Sequence, residues 1–293
     1  MLRPLRSHPP TMDLPISQNA SLITQAQIAG EHAQGWFLLT VALLMLLAVS
    51  LTTGSAAPLP VPPASTAAGP RGTPRLGLGV ALILAACLSF AAIAHGVATG
   101  GAIVVFDRAF SDAVRASTSA PVLQVFEWVT RLGDGSTLAV LCLGGAGVLA
   151  LRGERALAFG LVMAMGGNGL LNATLKRIFE RFRPPHLQGM ATFHGWSFPS
   201  GHSSGALVAY GMAAYLLMRM LPHRWHAMIV ALAAGTAFSV GTSRIFLEAH
   251  YASDVAAGFA SGTAWLTACI IVLELMRHLP SPIRVDPPRA LAR

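Results

Sequence analysis

The chain has 293 residues, of which 54% are hydrophobic and only 11% charged, with a formal net charge of +8. A soluble domain carries about 25% charged residues, so this composition excludes an ordinary water-soluble protein and points to a chain built for a bilayer. The positive balance does not imply nucleic acid as a partner, because the basic residues are dispersed between apolar blocks instead of forming one stripe.

Taken in order, residues 1–35 are polar and turn-rich, without an apolar period, and read as a mobile tail. Residues 36–53 form an apolar run that lies too deep in the chain, and lacks the basic flank, for a secretory signal; they read as an extra transmembrane helix. Residues 54–75 are Pro/Ala-rich, cannot hold a helix and form a linker. Residues 76–276 have the rhythm of a six-helix transmembrane bundle, with spans near 76–99, 134–151, 156–178, 202–221, 225–243 and 253–276. At about 1.5 Å per residue each can cross a hydrocarbon core of about 30 Å. Between the first two spans, residues 100–133 set Asp107, Arg108, Asp112, Arg115, Glu127 and Arg131 among Phe and Val, which predicts one or two amphipathic helices at the interface. Residues 277–293 form a basic cytoplasmic tail. The expected fold is an all-α integral membrane protein. Glycine pairs four apart, such as Gly201/Gly205 and Gly258/Gly262, permit close helix contact, although 29 glycines make such pairs frequent by chance.

Cys87, Cys142 and Cys269 each lie inside an apolar run, with no paired spacing, so neither a disulfide framework nor a zinc site is implied. The basic residues set the orientation. Ten lie on each side of the bundle. On one side, however, Lys176, Arg177, Arg181, Arg183 and Arg244 fall in chemistry-bearing segments, and three more arginines stand among acidic residues in 100–133. Discounting these makes the other side cytoplasmic and turns the motifs outward.

Three segments on the outward side carry residues that a bilayer does not tolerate without a use. The first runs from Lys176 to Arg183-Pro184, the second is Phe198-Pro199-Ser200-Gly201-His202, and the third is Ser243-Arg244, His250 and Asp254. If they converge, Lys176, Arg183 and Arg244 place about three positive charges in one small volume, suited to phosphate. Lys176 is the one lysine among 20 basic residues, as expected where a compact charge is needed. Arg177 and Arg181 read instead as residues reaching for headgroups. Ser200 and Gly201 open an apolar helix, as an ordinary cap or as an anion site of backbone N–H groups. His250 and Asp254 are four apart, so the carboxylate can fix one ring nitrogen and leave the other as a nucleophile; the alternative is a plain interfacial pair. His202 enters from another helix, without such an orienting acid, and can supply a proton.

Taken together, Lys-x6-Arg-Pro, Pro-Ser-Gly-His and Ser-Arg-x5-His-x3-Asp resemble the type 2 phosphatidic acid phosphatase (PAP2) superfamily, with all three motifs in order from Lys176 to Asp254. The resemblance implies a lipid phosphatase in which His250 attacks phosphorus and Asp254 orients it. His202 then protonates the leaving group and activates water, while Lys176, Arg183, Ser200, Gly201 and Arg244 hold the phosphoryl oxygens. It implies no metal, no other cofactor and no obligatory protein partner. The substrates within that class are undecaprenyl diphosphate, phosphatidylglycerol phosphate, phosphatidate or a lipid A phosphate. A lipid phosphotransferase using the same intermediate is the alternative. A transporter is disfavoured because the polar residues gather at one membrane face, apart from Asn168 and Asn172, which read as interhelical hydrogen-bond partners. Residues 185–196, with His186, His194 and Trp196, join two of the motif segments and read either as choosing the headgroup or as interfacial anchors.

Overall fold

The structure, a computed structural model, describes residues 16–53, 73–185 and 195–278. Ten α-helices account for the regular structure of these residues, apart from a 3-10 turn at His223–Trp225. They are α1 (Ile16–Glu31), α2 (Ala33–Thr53), α3 (Thr73–Ala98), α4 (Ala102–Ser117), α5 (Ala120–Arg131), α6 (Gly135–Leu151), α7 (Arg155–Phe179), α8 (Gly201–Met220), α9 (His226–Phe246) and α10 (Ala252–His278). The six expected spans are α3 and α6 to α10, and the extra span is α2. Among the described residues, six helical stretches are long and apolar enough to cross a membrane. Of the seven expected spans, the one outside that set is α8, which opens on Gly201-His202-Ser203-Ser204-Gly205, yet its 20 residues rise about 30 Å.

The burial pattern explains the arrangement. On α3, Leu78, Leu84 and Leu88 are exposed, and on α6 so are Val140, Leu143 and Leu151, as suits helices whose outer faces meet hydrocarbon. On α8, by contrast, Ala206, Val208, Ala209, Met212, Ala214 and Leu216 are buried. Its small residues let α7, α9 and α10 close around it, so α8 is the centre of the bundle. Leu149, Leu161, Met212 and Leu273 fill the space between α6, α7, α8 and α10. On the opposite flank, α2 lies along α9, where Phe37, Phe126 and Phe246 cluster; the last two stack with centroids 4.2 Å apart.

One of the glycine pairs proves structural. A Cβ at Gly258 would stand 2.6 Å from the Ser200 carbonyl oxygen, and one at Gly262 would stand 3.1 Å from Ser204 Cα. The second and third turns of α10 therefore touch the backbone that opens α8. Gly258→Ala is expected to displace the Ser200 segment and to cut turnover sharply while the protein still inserts. Phosphate release per mole of membrane-extracted protein checks this, and native turnover would show that the segment can shift without cost.

The N-terminal reading needs correction. Residues 16–31, expected in a mobile tail, form α1, which lies on α4. The reason is close packing of small residues: Ala26 is fully buried, and a Cβ on Gly30 would stand 2.6 Å from Ala113 Cβ. Contacts of this kind leave no stripe of large apolar residues to read. Ser117 Oγ donates to the Gly30 carbonyl, tying the two helices at one end. Residues 1–15, most of the 54–75 linker, residues 186–194 and the tail beyond His278 lie outside the described residues. Segment 100–133 forms two amphipathic helices, α4 and α5, within the one-or-two expected.

Candidate active site

The three motif segments meet at one end of α8. Its N-terminus is fixed by Phe198, fully buried against Phe90 and Phe179. Ser200 serves as an N-cap, its Oγ accepting from the Ser203 N–H at 3.4 Å and from Ser203 Oγ at 2.9 Å, while its own N–H donates to the Asp254 carbonyl at 2.9 Å. Of the two readings of Ser200, these contacts realise the cap. The N–H groups of Gly201 and His202 belong to the first helical turn, which has no intrahelical acceptor for them. Gly201 also admits α7, since a Cβ there would stand 3.0 Å from Asn172 Oδ1. Asn168 and Asn172 each donate to Ser204 Oγ at 3.4 Å, the interhelical role expected of them.

Two residues in the left-handed region redirect the chain at the site. Glu180, at φ 45°, ends α7, and Glu248, at φ 51°, lies between α9 and α10. Neither is glycine, so both positions carry backbone strain, a cost found where function needs it. The turn at Glu248 folds His250 back so that its N–H donates to the Arg244 carbonyl at 3.1 Å.

His250 is 2% exposed and held from both sides. Its Nδ1 lies 3.5 Å from Asp254 Oδ2. Arg183 Nη1 stands 3.2 Å from its Nε2. A guanidinium only donates, so Nε2 presents its lone pair and the ring proton sits on Nδ1, toward Asp254. Burial pushes the imidazole down to about 3, helped by the charges of Arg183 and Lys176 and opposed by Asp254, so the ring is neutral at physiological pH. Asp254 Oδ2 also accepts from Ser197 Oγ and, at 2.9 Å, from the Tyr251 N–H.

The cations converge as expected. Lys176 Nζ donates to the Trp196 carbonyl, and Arg183 Nη2 reaches the same oxygen at 3.4 Å. Arg183 also donates from Nε to Gly195 O at 3.1 Å and from Nη1 to Ala249 O at 2.5 Å. Arg244 is buried at the end of α9, within electrostatic reach of Lys176, Arg183 and His202. Trp196 therefore enters the site through its carbonyl; its ring packs edge-on against Phe182. His186 and His194 lie outside the described residues.

Arg181 does not reach for headgroups. It is buried, donating to Asp254 Oδ1 at 2.6 Å, to Ser253 Oγ at 2.8 Å and to Asp107 Oδ2 at 2.8 Å, with its guanidinium 4.4 Å from the Tyr251 ring centroid. Burial opposes its charge, but the two carboxylates outweigh this and hold it above its ordinary range. Asp107, on α4, also accepts from the Ser253 N–H at 3.1 Å, so the chain Asp107, Arg181, Asp254 and His250 links an amphipathic helix to the His250 ring. Arg177, in contrast, is exposed. His202 is not without an acid either: its Nε2 lies 3.0 Å from Asp134 Oδ1. Sequence reasoning missed Asp107 and Asp134 as site residues. The one available signal was an acidic residue opening an expected span, which Asp134 is.

Comparison with known proteins places this geometry. The family model described as the PAP2 superfamily matches residues 156–276. Phosphatidylglycerophosphatase B of Bacillus subtilis is 33% identical over 180 residues, covering 60% of this chain and 86% of that one. This chain belongs to the PAP2 superfamily. Lipid A 1-phosphatase of Rhizobium johnstonii, also similar, is 33% identical over 193 residues, 58% of this chain and 75% of that one. The crystal structure of a transmembrane PAP2-type phosphatidylglycerolphosphate phosphatase from Bacillus subtilis superposes with a TM-score of 0.60 at 31% identity, over 69% of this chain and 98% of that one. This PAP2 protein is a phosphoric ester hydrolase of the membrane.

Proposed function

We propose that this PAP2 protein hydrolyses a lipid phosphomonoester or diphosphate through a phosphohistidine on His250. The observation that carries the reading is the ring of His250, with Asp254 on Nδ1 and a guanidinium facing the lone pair of Nε2. Nε2 attacks phosphorus and the bond from phosphorus to the lipid oxygen breaks, while His202 gives that oxygen a proton. Water then loses a proton to His202 and attacks phosphorus, the N–P bond breaks, and phosphate leaves. Lys176, Arg183 and Arg244, with the N–H groups at the start of α8, stabilise the oxygens as charge builds. The reaction uses no metal and no other cofactor, since these cations supply the positive charge.

The lipid part of the substrate has a place. A cavity of about 550 Å³ runs between α6, α7 and α8, lined by Leu138, Cys142, Leu143, Met165 and Gly205 and reaching His202. An apolar leaving group lying there would have its oxygen at the residue that protonates it. We place the active site at the outer face of a bacterial inner membrane, on the distribution of arginines. Phosphatidylglycerol phosphate and a lipid A phosphate head the substrates, after the relatives' names, with phosphatidate and undecaprenyl diphosphate in the same class.

Purified protein incubated with these lipids, each labelled in the phosphoryl group, is expected to yield an acid-labile phosphoenzyme. Phosphate release should persist in EDTA and be inhibited by vanadate, which can take up five-coordinate geometry on His250. Loss on chelation that zinc or magnesium restores would overturn the metal-free reading, and the substrate released fastest identifies the lipid.

A further inference from the structure

The turn between α5 and α6 belongs to none of the three motifs, yet it touches the site twice. Thr130 Oγ1 accepts from Arg244 Nη1 at 2.8 Å, and Asp134 Oδ1 lies 3.0 Å from His202 Nε2. The backbone between them is equally close, for a Cβ at Gly133 would stand 3.1 Å from His202 Cδ2. Tyr210 Oη, from α8, donates to the Leu132 carbonyl at 2.8 Å and fastens the turn to the helix that carries His202. Thr137 Oγ1 donates to the Arg131 carbonyl at 2.7 Å and closes the turn from the α6 side.

Asp134 occupies the N-cap position of α6. Aspartate is among the preferred residues there because its carboxylate can accept the orphan N–H groups of the first turn. This one makes no side-chain cap bond to α6. Its Oδ1 is turned to the imidazole instead, so the residue forgoes the local bond that its position offers. A carboxylate on one ring nitrogen fixes the tautomer and the ring plane and leaves the opposite nitrogen to exchange protons. With Nε2–H donated to Asp134, the exchanging atom is Nδ1.

We infer that residues 130–134 form a fourth segment of the active site, in which Asp134 is a positioning residue that holds His202 with Nδ1 toward the leaving oxygen. The inference rests on the reading of His202 as the general acid. In the first step His202, entering as the imidazolium with a proton on each ring nitrogen, passes the one on Nδ1 to the lipid oxygen as its bond to phosphorus breaks, and is left as the neutral Nε2–H tautomer. In the second, a proton of the attacking water returns to Nδ1. Asp134 keeps its hydrogen bond to Nε2–H throughout and gains no proton. Each histidine of the site is thus paired with its own carboxylate, on opposite ring atoms: Asp254 takes Nδ1 of His250 and frees Nε2, whereas Asp134 takes Nε2 of His202 and frees Nδ1.

The test compares two substrates, dioctanoyl phosphatidate, whose departing oxygen is strongly basic, and p-nitrophenyl phosphate, whose oxygen leaves unaided. First-turnover release of each leaving group is measured for the full-length protein in detergent, as native, Asp134→Asn, Asp134→Ala, His202→Ala and the His202→Ala/Asp134→Ala pair. Because Asp134 acts through His202, its loss should slow phosphatidate by up to the about 10²–10⁴-fold that general-acid help is worth. The nitrophenyl ester should change little, and Asp134→Ala should add nothing to His202→Ala. A variant that merely loosened the fold would slow both substrates alike and would add to His202→Ala. That result, with His202→Ala itself still selective for phosphatidate, overturns the role of Asp134 and leaves the phosphatase reading standing. Equal losses of both substrates in His202→Ala would remove the general acid and the inference with it.

Discussion

His250→Ala is expected to abolish turnover of every substrate, whatever the leaving group, by a factor on the order of 10⁶, as removal of a covalent nucleophile does elsewhere. On the proposed mechanism Nε2 forms the bond to phosphorus, and among the described residues no neighbouring side chain offers a second lone pair held in that geometry. Lys176, Arg183 and Arg244 only donate when charged. The variant should also fail to form the acid-labile phosphoenzyme, whereas His202→Ala should form it from p-nitrophenyl phosphate and then retain it, because water is no longer activated. A burst of nitrophenol followed by slow phosphate release is the expected trace for His202→Ala, and no burst for His250→Ala. The pH profile gives a further check. Since burial keeps His250 neutral down to about pH 3, its protonation does not produce an acid limb near pH 6. The same shift has a consequence for folding. The folded imidazole titrates below the value of about 6.5 expected for an unfolded chain, so the unfolded state binds more protons and stability falls as pH drops from about 6.5 toward 3. Turnover by His250→Ala within about a hundredfold of native would show that the nucleophile lies elsewhere.

The sequence was informative where chemistry is packed into short spacings. Lys176, Arg183, His202, Arg244, His250 and Asp254 converge, and the spans near them fall within a few residues of the helices observed. What escaped was long-range pairing. Asp134 meets His202 across 68 positions and Asp107 meets Arg181 across 74, separations at which no helical or strand period links two residues. Asp107 illustrates the difficulty. It stands in an amphipathic segment beside Arg108, where charge reads as a solvated or interfacial face, yet it is buried with Ser111 and Val114 on the face of α4 turned inward. Those positions, i, i+4 and i+7, lie on one stripe, and the pattern is visible only once a polar residue is allowed as a core member. For α1 the missing signal was different, since contacts through Ala26 and Gly30 depend on closeness rather than on hydrophobicity.

Arg181 separates the two readings of this network most sharply. A boundary arginine can be replaced by methionine at little cost, because its charge is solvated and surface substitutions stay within about 0.5 kcal/mol. Here the side chains of Arg181, Asp107 and Asp254 are 8%, 1% and 0% exposed, and one guanidinium serves both carboxylates. Arg181→Met would leave two buried carboxylates without the guanidinium they share. Breaking a buried pair from one side costs about 3–5 kcal/mol, so the thermal midpoint in detergent should fall far below that of the native protein. Turnover should fall with it. Without Arg181, Asp254 loses the guanidinium that holds its Oδ1, and a less firmly held carboxylate orients Nδ1–H of His250 less well. Arg181→Lys keeps the charge but offers a point in place of a fork, so it should satisfy one carboxylate at a time and recover only part of the stability. Adding Asp107→Asn to Arg181→Met removes one of the stranded carboxylates, and the double variant should be more stable than Arg181→Met alone. A midpoint and a turnover close to native in Arg181→Met would return Arg181 to the membrane boundary and disconnect α4 from His250.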